Sequence, residues 1–149
     1  MFRLTTYFAY NEIGQLISET EPMGRVTSYS YDANRQLATR TDPNGNTITY
    51  TYDPLNRLIQ RQMPGDAVSF AYDVAGRLIS AADTDSSLGL TYDTAGRLTD
   101  AISDLGAVSY TYDLNGNRLS MVDAEGGVTD YRRLWGRCYR ACLLLDNEK

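Results

Sequence analysis

Large apolar and small polar residues alternate along most of this chain, and the alternation restarts at fixed intervals. Ile48, Tyr50 and Tyr52 alternate with Thr47, Thr49 and Thr51. Val68, Phe70 and Tyr72 follow the same rule, as do Leu88, Leu90 and Tyr92, and then Val108, Tyr110 and Tyr112. Period two with β-branched and aromatic residues is the pattern of a half-buried strand. Each such strand ends in Asp-x-x-Gly-Arg or a close variant. There the aspartate can accept backbone N–H groups and the glycine supplies a positive φ. A second strand follows, opened by Leu37, Leu58, Leu78, Leu98 or Leu119. It ends at a second turn such as Glu21-Pro22-Met23-Gly24, Asp42-Pro43-Asn44-Gly45 or Asp123-Ala124-Glu125-Gly126. Strands are predicted near residues 46–53, 57–62, 67–73, 77–82, 87–93, 97–102, 107–113 and 118–122.

The unit repeats. Tyr10, Tyr31, Tyr52, Tyr72, Tyr92 and Tyr112 are separated by 21, 21, 20, 20 and 20 residues. A fixed period of this length marks a repeat architecture. Each period reads strand, turn, strand, turn, so six periods predict about twelve strands in an all-β antiparallel meander. No helix is expected before residue 130. The repeat region is placed at residues 1–131 and a divergent tail at 132–149.

Some copies depart from the phrase. Asn11 replaces the aspartate and Gln15 the arginine in the first copy. Arg35 stands in the glycine place of the second, and Asn56 in that of the third. Asp83-Thr84-Asp85-Ser86-Ser87 forms a turn without proline or glycine. The sixth copy, Asp113-Leu114-Asn115-Gly116-Asn117-Arg118, reads as carrying one inserted residue, predicting a longer turn or a bulge.

Composition narrows the function. Ten of the 12 tyrosines lie in the repeat frame, where a ring can pack while its hydroxyl stays wet. A net charge of -5 argues against nucleic acid and against simple binding to an anionic membrane. Without histidine there is no imidazole base, ligand or pH switch. No cofactor is indicated. A side chain repeated five or six times does not make one catalytic constellation, so no catalytic residue is assigned and the chain reads as a non-enzyme. The residues that define the architecture are Tyr31, Asp32, Tyr52, Asp53, Arg57, Tyr72, Asp73, Gly76, Arg77, Tyr92, Asp93, Gly96, Arg97, Tyr112, Asp113, Gly116 and Arg118.

A cation ladder of aspartates is disfavoured, because repeat aspartates two strand spacings apart, about 9.6 Å, cannot share one ion. Turn capping accounts for each of them singly. The arginines are expected to pair with nearby carboxylates or to pack over tyrosine rings. The tyrosine rows are expected as a packing layer, with stacking on sugar rings as the alternative.

Cys138 and Cys142 stand alone in the tail and do not make a disulfide framework or a zinc spacing. Leu134, Trp135, Cys138, Tyr139, Cys142 and Leu143 fall at helical spacing. A short helix covering an open sheet end is expected there, with a basic interfacial helix or no role as alternatives.

The phrase Tyr-x-Tyr-Asp-x-x-Gly-Arg-Leu, at this period and with these second turns, resembles the RHS/YD-repeat family. The resemblance covers about residues 7 to 131. It implies a curved, spiralling β-sheet segment of the hollow shell that bacterial polymorphic toxins of the family build around a C-terminal toxic domain. It also implies the remainder of a shell and an enclosed toxin as partners, with glycans as alternative ligands of a carbohydrate- or cell-surface-binding module. The family's self-cleaving core motif, built around Asp-Pro-x-Gly-Leu, is absent. Gly127-Val128-Thr129-Asp130-Tyr131 opens a seventh repeat that then diverges. Twelve strands at about 4.8 Å would close to a ring only about 18 Å across, too small for a folded domain of about 100 residues. The chain alone is therefore expected to be a segment, with self-association as one outcome. No signal-peptide pattern is seen at the start, so a bacterial protein cytoplasmic until exported, or associated with the cell surface, is expected.

Overall fold

A computed structural model describes residues 4–131. Thirteen strands are present among them and follow one another in sheet order from first to last, without a crossover. Among the described residues there is no helix. The predicted tail helix falls outside the described residues.

The chain divides into two compact units, Met1–Ala71 and Tyr72–Lys149. The first carries β1 (Tyr7–Tyr10), β2 (Leu16–Thr20), β3 (Val26–Tyr31), β4 (Leu37–Thr41), β5 (Thr47–Tyr52), β6 (Leu58–Met63) and β7 (Asp66–Tyr72, one residue past the division). The second carries β8 (Leu78–Ala82), β9 (Ser87–Tyr92), β10 (Leu98–Ser103), β11 (Gly106–Tyr112), β12 (Arg118–Val122) and β13 (Val128–Asp130). Within each unit consecutive strands pair antiparallel. β13 adds a strand to the predicted twelve and is the opening of the seventh repeat.

The first turn of each repeat is constant. In the third repeat Asp53 N–H donates to the Arg57 carbonyl at 2.9 Å and Asn56 N–H to the Asp53 carbonyl at 2.9 Å. The same pair of bonds recurs at Asp73, Asp93 and Asp113. The second strand then opens with a bulge. Tyr31 faces Leu37 while Ser30 faces Thr39, which leaves Ala38 as the extra residue. Tyr52 with Leu58 and Tyr92 with Leu98 repeat that slip.

The second turn sets the repeat length. Five residues bridge the pairs Thr20–Val26, Thr41–Thr47 and Val122–Val128. Four bridge Gln62–Ala67, Ala82–Ser87 and Ile102–Ala107. The one-residue difference accounts for the change of period from 21 to 20.

The sixth repeat corrects the sequence reading. Tyr112 pairs with Arg118 as Tyr92 pairs with Leu98, so the turn contains no insertion. Asn117, not Arg118, occupies the arginine place, and Arg118 rather than Leu119 opens the strand. The alignment of arginines misled, because backbone spacing from the aspartate, not side-chain identity, fixes the frame.

No hydrophobic side chain among the described residues is fully buried. Among the described residues Thr27 alone is buried, at 7% exposure. Within each unit the described strands contact only their sheet neighbours, and their apolar residues are half-covered by cross-strand neighbours rather than by a second layer.

A ladder of turn and tyrosine contacts as the candidate functional site

The repeated side chains converge at the first turn of each repeat. Asp53 uses both carboxylate oxygens. Its Oδ1 accepts the Leu55 and Arg57 backbone N–H groups at 2.8 and 3.0 Å, and its Oδ2 accepts the Arg57 Nε at 2.7 Å. Asp73 with Ala75 and Arg77, and Asp93 with Ala95 and Arg97, repeat the arrangement. Asp113 keeps it with Asn117, whose Nδ2 donates at 2.7 Å. Asp32 accepts the Gln36 N–H at 2.8 Å, and Asn11 fills the same place through its own side-chain oxygen.

At Asp53, Asp73 and Asp93 these bonds favour the ionised carboxylate. The backbone N–H of the residue four places on is the largest influence holding the Asp53, Asp73 and Asp93 carboxyls below their ordinary range. Gly76 and Gly96 adopt φ of 82° and 82° at the tight position. Arg35 and Asn56 hold φ of 67° and 64° there, a region that costs L-residues about 1–2 kcal/mol.

The third member is the tyrosine. The Tyr31 hydroxyl donates to the Leu16 carbonyl at 2.9 Å, and that of Tyr52 to the Leu37 carbonyl at 3.1 Å. In the second unit Tyr92 reaches Leu78 at 2.8 Å and Tyr112 reaches Leu98 at 2.7 Å. Each acceptor belongs to the preceding repeat, at the residue where its second strand starts. A bulge beside that residue breaks the regular ladder, and a half-buried carbonyl needs a donor. The tyrosine of the next repeat supplies it. Burial is the main cause raising the Tyr52 hydroxyl above its ordinary pKa. Tyr72 stands at the same place at the end of β7.

Residues in the arginine place reach forward as well. Arg97 Nη1 donates to the Asp113 carbonyl at 2.8 Å while its guanidinium lies 4.8 Å from the centre of the Tyr112 ring. Arg77 lies 4.6 Å from the Tyr92 ring. Gln15 and Gln36, the substitutes in the first two repeats, donate to the Arg35 and Asn56 carbonyls at 3.2 Å each. Arg118, from its different place, covers the Tyr110 ring at 4.5 Å.

Two features escaped the sequence reading. The tyrosine-to-carbonyl bond spans 14 or 15 residues, and only the coincidence of tyrosine and leucine periods hinted at it. Asp100, outside the phrase, accepts from Thr91 at 2.6 Å and Ser109 at 2.8 Å on the small polar face. The turn without proline or glycine is closed by Asp83, which accepts the Asp85 and Ser86 N–H groups. Among the described residues no group of three or more carboxylate, thiol or imidazole side chains could hold a metal ion.

The arrangement is that of a tandem-repeat β-sheet in which, within each unit, repeats carry both their own turn clamp and a tie to a neighbour. The RHS Repeat family model matches residues 10–47, 36–68 and 92–128, and the chain belongs to that family. None of the curated proteins matches it in sequence. Among solved structures, the TcdB2-TccC3-Cdc42 crystal structure superposes with a TM-score of 0.69 at 19% identity, covering 79% of this chain. TcdB2-TccC3 gives 0.68 at 19% identity over 79%. A Photorhabdus luminescens Tc holotoxin pore with a TccC3 variant gives 0.61 at 18% over 85%. The chain spans 7% of the first two and 9% of the third. The likeness is one of fold.

Proposed function

We propose that this chain is a non-catalytic structural segment of an RHS-type shell, one that encloses a C-terminal toxin in the full-length protein. The observation that carries the reading is the tie between repeats. The groups that give the family its phrase are engaged with backbone and with one another, as in Arg97 with Asp93, Asp113 and Tyr112. Such a ladder lets repeats add indefinitely, because each stabilises only its neighbour. That suits a wall. The likeness to TcdB2-TccC3 supports the same role, with the remainder of the shell and a toxin as partners.

In this reading the protein is bacterial and stays in the cytoplasm until export. The test is limited proteolysis of the full-length chain that contains these repeats. A segment C-terminal to them should resist protease while the wall is intact. Phenylalanine at Tyr31, Tyr52, Tyr92 and Tyr112 should make it accessible. Equal cleavage of that segment in both proteins would overturn the reading.

A further inference from the structure

The tyrosine face of the first unit carries two cations that the ladder does not use. Arg40 on β4 stands between Tyr29 and Ile48, and Arg61 on β6 between Tyr50 and Val68. The same register place holds Ala81, Ala101 and Met121 in the second unit, facing Leu88, Leu90 and Tyr110. In the first repeat the place holds Glu19, facing Phe8 and Thr27; small, apolar and acidic residues all satisfy the fold there, and two guanidinium groups are not required by it.

Neither arginine has an ion pair or a ring contact among the described residues. Arg40 is felt only as a charge near Asp42. Arg61 Nε is shielded from solvent and has no hydrogen-bond partner. A shielded donor of a charged group is costly when unpaired. Among the described residues the face around it has no second layer, although a sheet is stabilised by covering its apolar side. What covers this face best brings carboxylates to Arg40 and Arg61 and apolar surface to the residues between them.

The lattice of the sheet fixes the spacing. Arg61 lies two strands across from Arg40 and, because Arg40 faces Ile48 while Arg61 faces Tyr50, two residues along. At about 4.8 Å per strand and about 3.4 Å per residue the two Cα atoms are roughly 12 Å apart. In an extended peptide, residues i, i+2 and i+4 share a face, and i to i+4 spans about 13 Å. We infer that the tyrosine face of the first unit binds an extended acidic peptide segment of the pattern acidic-x-apolar-x-acidic. Its outer carboxylates meet Arg40 and Arg61, and its central side chain packs on Ile48 and Tyr50. The inference stands on these residues and does not require the shell reading.

The test is fluorescence anisotropy of a labelled Ser-Glu-Ser-Leu-Ser-Glu-Ser peptide titrated with the full chain at low salt. Saturable binding is expected. Losing one charge-assisted contact should weaken it about tenfold, so Arg40→Gln and Arg61→Gln should each do so. Arg25→Gln, which removes an exposed turn charge paired with Glu21, should leave it unchanged. A peptide of the same composition with adjacent glutamates should bind about tenfold more weakly as well. Circular dichroism of each variant confirms the fold. Absence of binding would overturn the inference. So would equal binding by the arginine variants or the scrambled peptide, or arginine-dependent binding of an acidic polysaccharide without binding of the peptide.

Discussion

The Tyr112 hydroxyl donates to the Leu98 carbonyl at 2.7 Å, across the boundary between two repeats. The two residues are 14 apart in sequence, and each recurs at a fixed place in its own repeat, the tyrosine closing the first strand and the leucine opening the second. A bulge beside Leu98 creates the need for a donor, and the next repeat's tyrosine meets it. Cohesion between repeats is thereby written into the same phrase that shapes each turn.

Removing the hydroxyl should therefore cost more than removing one in the open. Tyr92→Phe and Tyr112→Phe each leave a carbonyl without its donor, and about 1–3 kcal/mol should be lost. Tyr10→Phe is the control. Tyr10 is 59% exposed, and its replacement should fall within about 0.5 kcal/mol of the parent. Urea unfolding of the three variants checks the contrast.

Backbone conformation gives a second contrast with opposite signs. Gly76→Val and Gly96→Val force a β-branched residue to positive φ and should destabilise by more than about 1 kcal/mol. A Cβ at Gly96 would also stand 3.5 Å from Arg77 Nη1. Thr91→Ser keeps the hydroxyl that reaches Asp100 and should be nearly neutral. Arg35→Gly relieves the strained φ of 67° and should raise the melting temperature. Thermal melts of the four variants provide the measurement.

Acid should weaken the fold through the turn carboxylates. The Asp53, Asp73 and Asp93 carboxyls sit below the ordinary value of 3.8 in the folded chain. On acidification the unfolded chain takes up protons first, so stability rises with pH in that window. Their contribution is complete above the ordinary value and is lost as pH falls through the lower folded values. Asp93→Asn keeps a side-chain oxygen for the turn N–H groups but removes one titrating group, so its stability should fall less steeply below pH about 4. Denaturation midpoints across pH 2 to 6, taken in roughly half-unit steps, would show this.

The uncovered sheet faces should be visible to a dye. With no fully buried hydrophobic side chain among the described residues, binding of an apolar fluorophore to the native protein should exceed that of a two-layer domain of equal size. Apolar patches beyond a few hundred Å² usually engage a partner. Sedimentation over a range of concentrations should accordingly show association.

Most of this fold was legible because its information is local. Thr47 to Tyr52 alternates without a break, and β5 falls there as expected. Asp53 and its turn could be read from residue types alone, since the aspartate caps groups two and four places on. The frame of the sixth repeat was misread because Arg118 imitates Arg97 in identity but not in backbone place. The Tyr112–Leu98 bond was not legible, because it depends on a bulge and on the stagger between repeats. The place of Arg40 and Arg61 on the tyrosine face was not legible either, because it depends on strand register.

The central claim is that the repeated tyrosine, aspartate and arginine hold repeat to repeat. Amide hydrogen exchange of Tyr112→Phe tests it most directly. The account predicts faster exchange at the first turn of the fifth repeat, residues 93–98, and at residues 113–117, with the more distant strands of the second unit less affected. Unchanged exchange at both turns, with stability equal to the parent, would contradict it.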